Sequence, residues 1–203
     1  MNTIFPEFMG SMARINNNFY FSFLTLNFVN LRPFNRDVIL PVIMSQNIMT
    51  YGFINSFDND GIQEHGNSIR RHFLNDMVIA YERYSMLMIA SHNNSQHRID
   101  PALVNDRHLG AHLFEQLPNV YQPDEVTFLI QLRHLRNSIV HYNGVYSATN
   151  ELSYTFGTQS YHSVGNEGQN ISVEFDNLLW IYNNLIETVQ TGNARYFTHY
   201  PIP

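Results

Sequence analysis

The sequence predicts a mainly helical fold, a bundle of helices with a small β-hairpin or ordered loop inserted before the last helix. Residues 67–91, 124–142 and 175–189 each carry apolar side chains at spacings of three and four, as a helix with one buried face does. Residues 146–173 instead alternate apolar and polar side chains around glycines, which favours a hairpin. With 203 residues, the chain is long enough for one domain with a substantial core.

The amino-terminal part gives the weakest pattern. Residues 1–18 contain no cationic start followed by an unbroken apolar run, so they do not resemble a secretory signal, and we expect a flexible terminus. The single domain then spans residues 19–203. The aromatic run at residues 19–31 is compatible with a strand or a first helix, because periodicity does not separate the two in so short a segment.

Four further elements are predicted between the amino-terminal run and the hairpin segment. A helix should begin near Pro41 and end before the turn-like residues 58–61, and residues 67–91 form the clearest helix. A short helix over residues 102–117 follows Pro101, and a longer one over about 124–143 follows Pro123, because proline is tolerated in a first helical turn. In the helix over residues 67–91 the apolar positions are Ile69, Phe73, Met77, Tyr81, Tyr84 and Met88. In the helix over about 124–143 they are Phe128, Leu132, Leu135, Ile139 and Tyr142.

Glycines mark the predicted ends of the last elements. Gly144 stands where a left-handed residue commonly ends a helix, and Gly192 stands in the same relation to the final helix. In the hairpin segment, Leu152, Tyr154 and Phe156 alternate, as do Ile171 and Val173. The glycine-rich residues 165–168 between these two runs are the predicted turn.

Composition restricts the possible functions. The chain has no cysteine, which excludes disulfides, a thiolate nucleophile and a cysteine-bound zinc, and is consistent with a reducing, cytoplasmic compartment. Its formal net charge of −6 should repel nucleic acid at long range, so any contact with nucleic acid requires a local cationic cluster. No stretch of about 18 apolar residues occurs, and we expect no membrane span.

The helix over residues 124–143 carries the residues with the clearest chemical meaning. Its end reads LRHLRNSIVHYNG, in which Arg136 is followed by Asn137 and, five positions after the arginine, by His141. An arginine can stabilise charge on a phosphate through its planar guanidinium. A histidine titrates near neutral pH and can therefore move the protons of a phosphodiester cleavage.

This arrangement resembles the RNxxxH signature of the HEPN superfamily. The resemblance covers residues 67–190, since an aromatic and acidic segment at residues 80–84 precedes the motif helix, and a hairpin and an amphipathic helix follow it. It implies a metal-independent endoribonuclease without a cofactor, of the toxin or antiphage-defence kind, with RNA as substrate and an antitoxin or regulatory protein as a possible partner. Arg136 and His141 would be the catalytic residues, supported by Asn137 and Arg133.

The resemblance also implies a homodimer in which two motif helices face each other across a two-fold axis. Five helical positions turn a side chain well away from its starting direction, so one Arg136 and His141 pair need not meet at one phosphate. We expect both side chains to lie off the core stripe, so that replacing either residue leaves the fold intact.

Several alternatives stay open at this level. Arg136 and His141 could be a surface cation and a helix cap, and the chain could be a non-catalytic HEPN-like module that binds RNA, a nucleotide or a protein. Glu82 could pair with an arginine of the motif helix, although a solvated position is favoured. Tyr142 lies one residue before the position at which part of the family carries a modified tyrosine, and a packing role is favoured.

One competing site would use a metal. His108 and His112 share one face of the predicted helix over residues 102–117, and Glu115 could add an oxygen ligand one turn later. No further ligand is evident, and Gly110 weakens the helix between the histidines. Phosphate-binding glycine loops and a serine nucleophile elbow are absent from the sequence.

Overall fold

The computed structural model describes residues 3–30, 59–93 and 119–200. These ranges form the elements α1 (Ile4–Asn30), α2 (Asn59–Asn93), α3 (Pro123–His141), β1 (Ser153–Phe156), β2 (Gln159–His162) and α4 (Phe175–His199). The predicted class, mainly helical with a hairpin before the last helix, is therefore confirmed. The helices predicted near Pro41 and over residues 102–117 lie outside the described residues.

Helix α2 is central among the described elements, because it contacts α1, α3 and α4. An aromatic group in the core joins three of these helices. Phe19 of α1 stacks on Phe73 of α2 with ring centroids 4.2 Å apart, and Phe175 and Tyr182 of α4 extend the group. Burial of such large apolar side chains is the main favourable contribution to packing. The predicted stripe of α2 faces this core, with Phe73, Met77, Tyr81, Tyr84 and Met88 buried.

The flexible terminus expected over residues 1–18 is wrong from Ile4 onward, because α1 begins at that residue. Ile4, Phe8 and Met12 are buried at intervals of four residues, so one face of α1 packs into the core from its first turn. The ring of Phe8 lies 5.3 Å from that of Tyr84 on α2. The alternatives left open for residues 19–31 are also resolved as far as Asn30, where the chain is helical.

The hairpin is confirmed, but its predicted turn is wrong. The antiparallel strands β1 and β2 are joined by Gly157 and Thr158, and Phe156 pairs with Gln159 across that two-residue turn. Gly157 adopts a φ of +58°, which glycine tolerates and which suits a two-residue hairpin turn. Residues 165–168 instead belong to the loop that follows β2. Ile171 and Val173 are buried as their alternation suggests, although they lie outside both strands.

Gly192 does not end the final helix as predicted, since α4 continues to His199. The residue is buried, and a Cβ at this position would lie 2.4 Å from Cε1 of Tyr121. The glycine therefore makes room for an aromatic ring instead of capping a helix. None of the helices in the described ranges is sufficiently long and apolar to cross a membrane.

Candidate functional site

The first turn of α3 is fixed to α4. Pro123 begins the helix, and the backbone N–H of Gln122 donates to Glu125 Oε2 at 2.7 Å. Arg195 of α4 binds the carboxylate of Glu125 through both terminal nitrogens and donates from Nη1 to the carbonyl of Val120 at 3.2 Å. This bidentate contact sets the position from which α3 projects toward the candidate site.

The last turn of α3 is fixed by the loop that follows it. Asn143 and Gly144 adopt φ angles of 55° and 73°, so the predicted left-handed glycine is present, with a left-handed asparagine before it. The Gly144 N–H donates to the Ser138 carbonyl at 3.1 Å. Asn150 donates from Nδ2 to the His134 carbonyl at 2.7 Å and to Ser138 Oγ at 2.6 Å. These bonds hold the loop against one side of α3.

Arg136 is held by three side chains. Its Nε donates to Asn75 Oδ1 on α2 at 3.1 Å, and its Nη1 donates to Asn137 Oδ1 at 3.0 Å. Its Nη2 lies 3.9 Å from Glu82 Oε2. Since these acceptors and the carboxylate surround the guanidinium, its orientation is fixed before any ligand arrives.

Two expectations, one about Arg136 and one about Glu82, are corrected. Arg136 does not lie free at the surface, because its side chain is only 18% exposed and is turned toward α2. Glu82 is not a solvated residue, because its side chain is 23% exposed and pairs with Arg136. The cause is the packing of α2 against α3, which brings residues far apart in the sequence into contact.

His141, in contrast, is exposed at the last position of α3. Within the described part of the chain, its side chain forms no hydrogen bond or ion pair. Its face of α3 is open to solvent, because the exposed apolar residues Ile130 and Val140 lie on the same stripe. Arg133 and Asn137, both half-buried, lie on the same side of α3, and we call the stripe of Ile130, Arg133, Asn137, Val140 and His141 the open face.

One chain does not bring Arg136 and His141 together. Five positions on a helix correspond to a rotation of about 140° after one full turn, so the two side chains lie at opposite margins of the open face. Tyr142 also departs from its predicted packing role. It is only partly buried, and its hydroxyl lies 3.0 Å from Thr149 Oγ1 in the following loop.

A second arginine, which sequence analysis missed, lies at the end of α3. The guanidinium of Arg71 on α2 packs over Gly144, where a Cβ would be 2.8 Å from Cζ. Arg71 stands 65 positions before Arg136 in the sequence, outside the motif helix, and no spacing pattern points to it. Asn75, the partner of Arg136, lies one turn farther along α2 on the same face.

The alternative metal site of His108, His112 and Glu115 lies outside the described residues. Within the ranges that are described, no group of three or more histidine, aspartate or glutamate side chains is arranged to hold a metal ion.

No protein-family model matches this chain, and no curated protein or solved structure shows significant similarity to it. The functional interpretation therefore depends on the residues of α3 and on the side chains of α2 that surround them.

Proposed function

We propose that this protein is a homodimeric, metal-independent endoribonuclease of the HEPN type that acts in the cytoplasm as a toxin or antiphage-defence effector. The observation that carries the proposal is the fixed guanidinium of Arg136 at the margin of an open helix face that ends in His141. These are the two side chains that phosphodiester cleavage requires, a cation and a proton carrier.

The proposed reaction uses the RNA's own 2′-hydroxyl as the nucleophile. His141 accepts the 2′-hydroxyl proton, the bond from phosphorus to the 5′-oxygen breaks as the bond to the 2′-oxygen forms, and the proton is then given to the departing 5′-oxygen. Arg136 stabilises the negative charge that develops on the phosphate.

A second copy of the chain completes the site in this proposal. The open face of α3 contains the exposed apolar side chains of Ile130 and Val140 together with Arg133, Asn137 and His141. Pairing of two such faces across a two-fold axis would remove apolar surface from water and bring His141 of one protomer toward Arg136 of its partner. This arrangement overcomes the separation of the two residues within one chain.

The test is cleavage of single-stranded and structured RNA by the purified protein and by its His141→Ala variant. The proposal predicts 2′,3′-cyclic phosphate ends from the wild type and a loss of cleavage of about 10²- to 10⁴-fold in the variant. RNA that remains intact with the wild type, under conditions in which the protein is folded and dimeric, contradicts it.

A second candidate is a non-catalytic HEPN-like module that binds RNA, a nucleotide or a protein partner. The observation that favours it is the engagement of Arg136 by Asn75, Asn137 and Glu82, which leaves fewer donors for a phosphate. Binding of RNA by the wild type without cleavage at any pH between 5 and 9 would make this the better assignment.

A further inference from the structure

We infer that Arg71 is a phosphate-binding residue of the same site and contacts the RNA strand beside the scissile phosphate. This inference rests on the proposed function, because it assumes that RNA lies along the end of α3. It adds to that end a cation that comes from α2.

The side chain of Arg71 packs against Gly144, just after the end of α3. A Cβ on Gly144 would lie 2.8 Å from Cζ and 2.9 Å from Nη2 of Arg71, so the guanidinium covers the glycine directly. Gly144 follows His141 by three residues, which an extended chain spans in at most about 11 Å. The Arg71 guanidinium therefore lies within about 15 Å of the His141 backbone, close enough for one RNA strand to contact both residues.

Arg71 and Arg136 differ in how many guanidinium donors are available for a phosphate. The Nε and Nη1 of Arg136 donate to Asn75 and Asn137 within the chain. Within the described residues, the ionic partner of Arg71 is Glu64, whose Oε1 lies 4.0 Å from Nη1 and whose side chain is 73% exposed. A surface pair with such a separation holds a guanidinium weakly, so a phosphate can replace it.

Gly144 leaves the space in which the Arg71 guanidinium lies. Its φ of +73° is a conformation that glycine adopts without cost, and its missing side chain is the space that the Arg71 guanidinium occupies. The side chain of Arg71 is 24% exposed, so it packs against Gly144 and still reaches solvent. A guanidinium that is already held by packing loses less conformational freedom when it binds a phosphate.

The test measures RNA binding as a function of salt. Each chain carries His141→Ala, which prevents cleavage, and binds a single-stranded RNA oligonucleotide between 50 and 200 mM salt. Adding Arg71→Ala should reduce the slope of log affinity against log salt by about 0.7, the value for one lost phosphate contact on a single strand. The ratio of the affinity of the His141→Ala protein to that of the double variant should therefore fall roughly two- to threefold between 50 and 200 mM salt.

Two further variants make the result specific. Arg83→Ala removes the same charge from an exposed position on α2 and should leave the slope unchanged. Arg71→Lys keeps a point charge and should retain most of the slope while losing affinity, because it lacks the planar fork of arginine. Equal melting temperatures of all variants exclude an effect of unfolding, and Arg71→Gln replaces Arg71→Ala if the latter melts earlier.

The outcomes separate this inference from the proposed function. If the wild type cleaves RNA while Arg71→Ala and Arg83→Ala have the same slope, the role of Arg71 is refuted and the nuclease assignment stands. If binding depends on Arg71 but the wild type cleaves nothing, the phosphate contact is supported and the nuclease assignment falls. If the wild type does not bind RNA, both are refuted.

Discussion

Arg136 on α3 donates from Nε to Asn75 Oδ1 on α2 at 3.1 Å, which joins the proposed catalytic arginine to the central helix. The contact has two consequences. It orients the guanidinium, and it makes the same residue part of the packing between α2 and α3. Substitutions at Arg136 should therefore affect both stability and activity.

Arg136→Lys should reduce both RNA cleavage and stability. The lysine keeps a cation near Glu82 but loses the donors to Asn75 and Asn137, so these partly buried acceptors lose their partner. We expect a loss of about 1–3 kcal/mol in the free energy of unfolding and about 10²- to 10³-fold in cleavage. Urea denaturation and RNA cleavage rates measure the two effects.

The matched control for this substitution is Arg133→Lys, one turn earlier on α3. Arg133 forms no hydrogen bond or ion pair within the described ranges, so its replacement should leave the unfolding free energy nearly unchanged. Equal stability losses in the two lysine variants would mean that the contacts of Arg136 do not contribute as described.

His141→Ala should remove cleavage and leave stability unchanged. The side chain is exposed and forms no hydrogen bond with described residues, while general acid–base catalysis typically contributes about 10²- to 10⁴-fold. The control is His162→Ala, which removes another exposed histidine, on β2. Thermal melting and RNA cleavage are measured for the wild type, His141→Ala and His162→Ala. Equal cleavage by all three proteins would mean that the activity belongs to another site.

Cleavage should continue in the presence of EDTA. In the proposed mechanism Arg136 takes the part of a metal cation and His141 moves the proton, so no step requires a bound ion. The measurement compares RNA cleavage rates before and after prolonged chelation. Activity that disappears with EDTA and returns with zinc would point instead to His108 and His112.

Stability should fall at alkaline pH because of buried tyrosines. Burial raises the pKa of Tyr81, Tyr84 and Tyr121 above the ordinary value of 10.0. Their contribution is fully present below about pH 10, where both the folded and unfolded states are protonated, and is lost as the pH rises, because only the unfolded state ionises readily.

Each such tyrosine should lower the unfolding free energy by about 1.4 kcal/mol per pH unit above its unfolded pKa. Urea denaturation between pH 9 and 11 measures the decline, and Tyr81→Phe should make it less steep. A free energy of unfolding that is constant to pH 11 would be inconsistent with burial of these hydroxyl groups.

Much of the fold could be predicted from apolar spacing. The stripe on α2 and the apolar face of α4 follow the helical period closely enough to be recognised in one sequence. The first turns of α1 are hard to recognise because Pro6 and Gly10, two poor helix formers, lie between Ile4, Phe8 and Met12, although the four-residue interval of these three is helical. The hairpin turn was misplaced because Gly165 and Gly168 form a stronger local signal than the single glycine at position 157.

The candidate site was only partly predictable, for a physical reason. Arg136 and His141 lie on one helix, where spacing alone gives their relative directions. Asn75, Glu82 and Arg71 reach that helix from α2 through tertiary packing, and a sequence pattern does not specify such contacts. The sequence therefore raised the pairing of Glu82 with an arginine of the motif helix only as a possibility, and the contacts of Asn75 and Arg71 could not be predicted.

The shared site can be tested by mixing two inactive variants. Arg136→Lys and His141→Ala proteins are purified separately, mixed in equal amounts, allowed to exchange subunits, and assayed on RNA with light scattering to confirm dimers. If each site takes Arg136 from one protomer and His141 from its partner, a mixed dimer regains one intact site of two, and the mixture should recover about a quarter of wild-type activity. A mixture that cleaves no faster than either variant alone, while the wild type is active, would contradict the composite site.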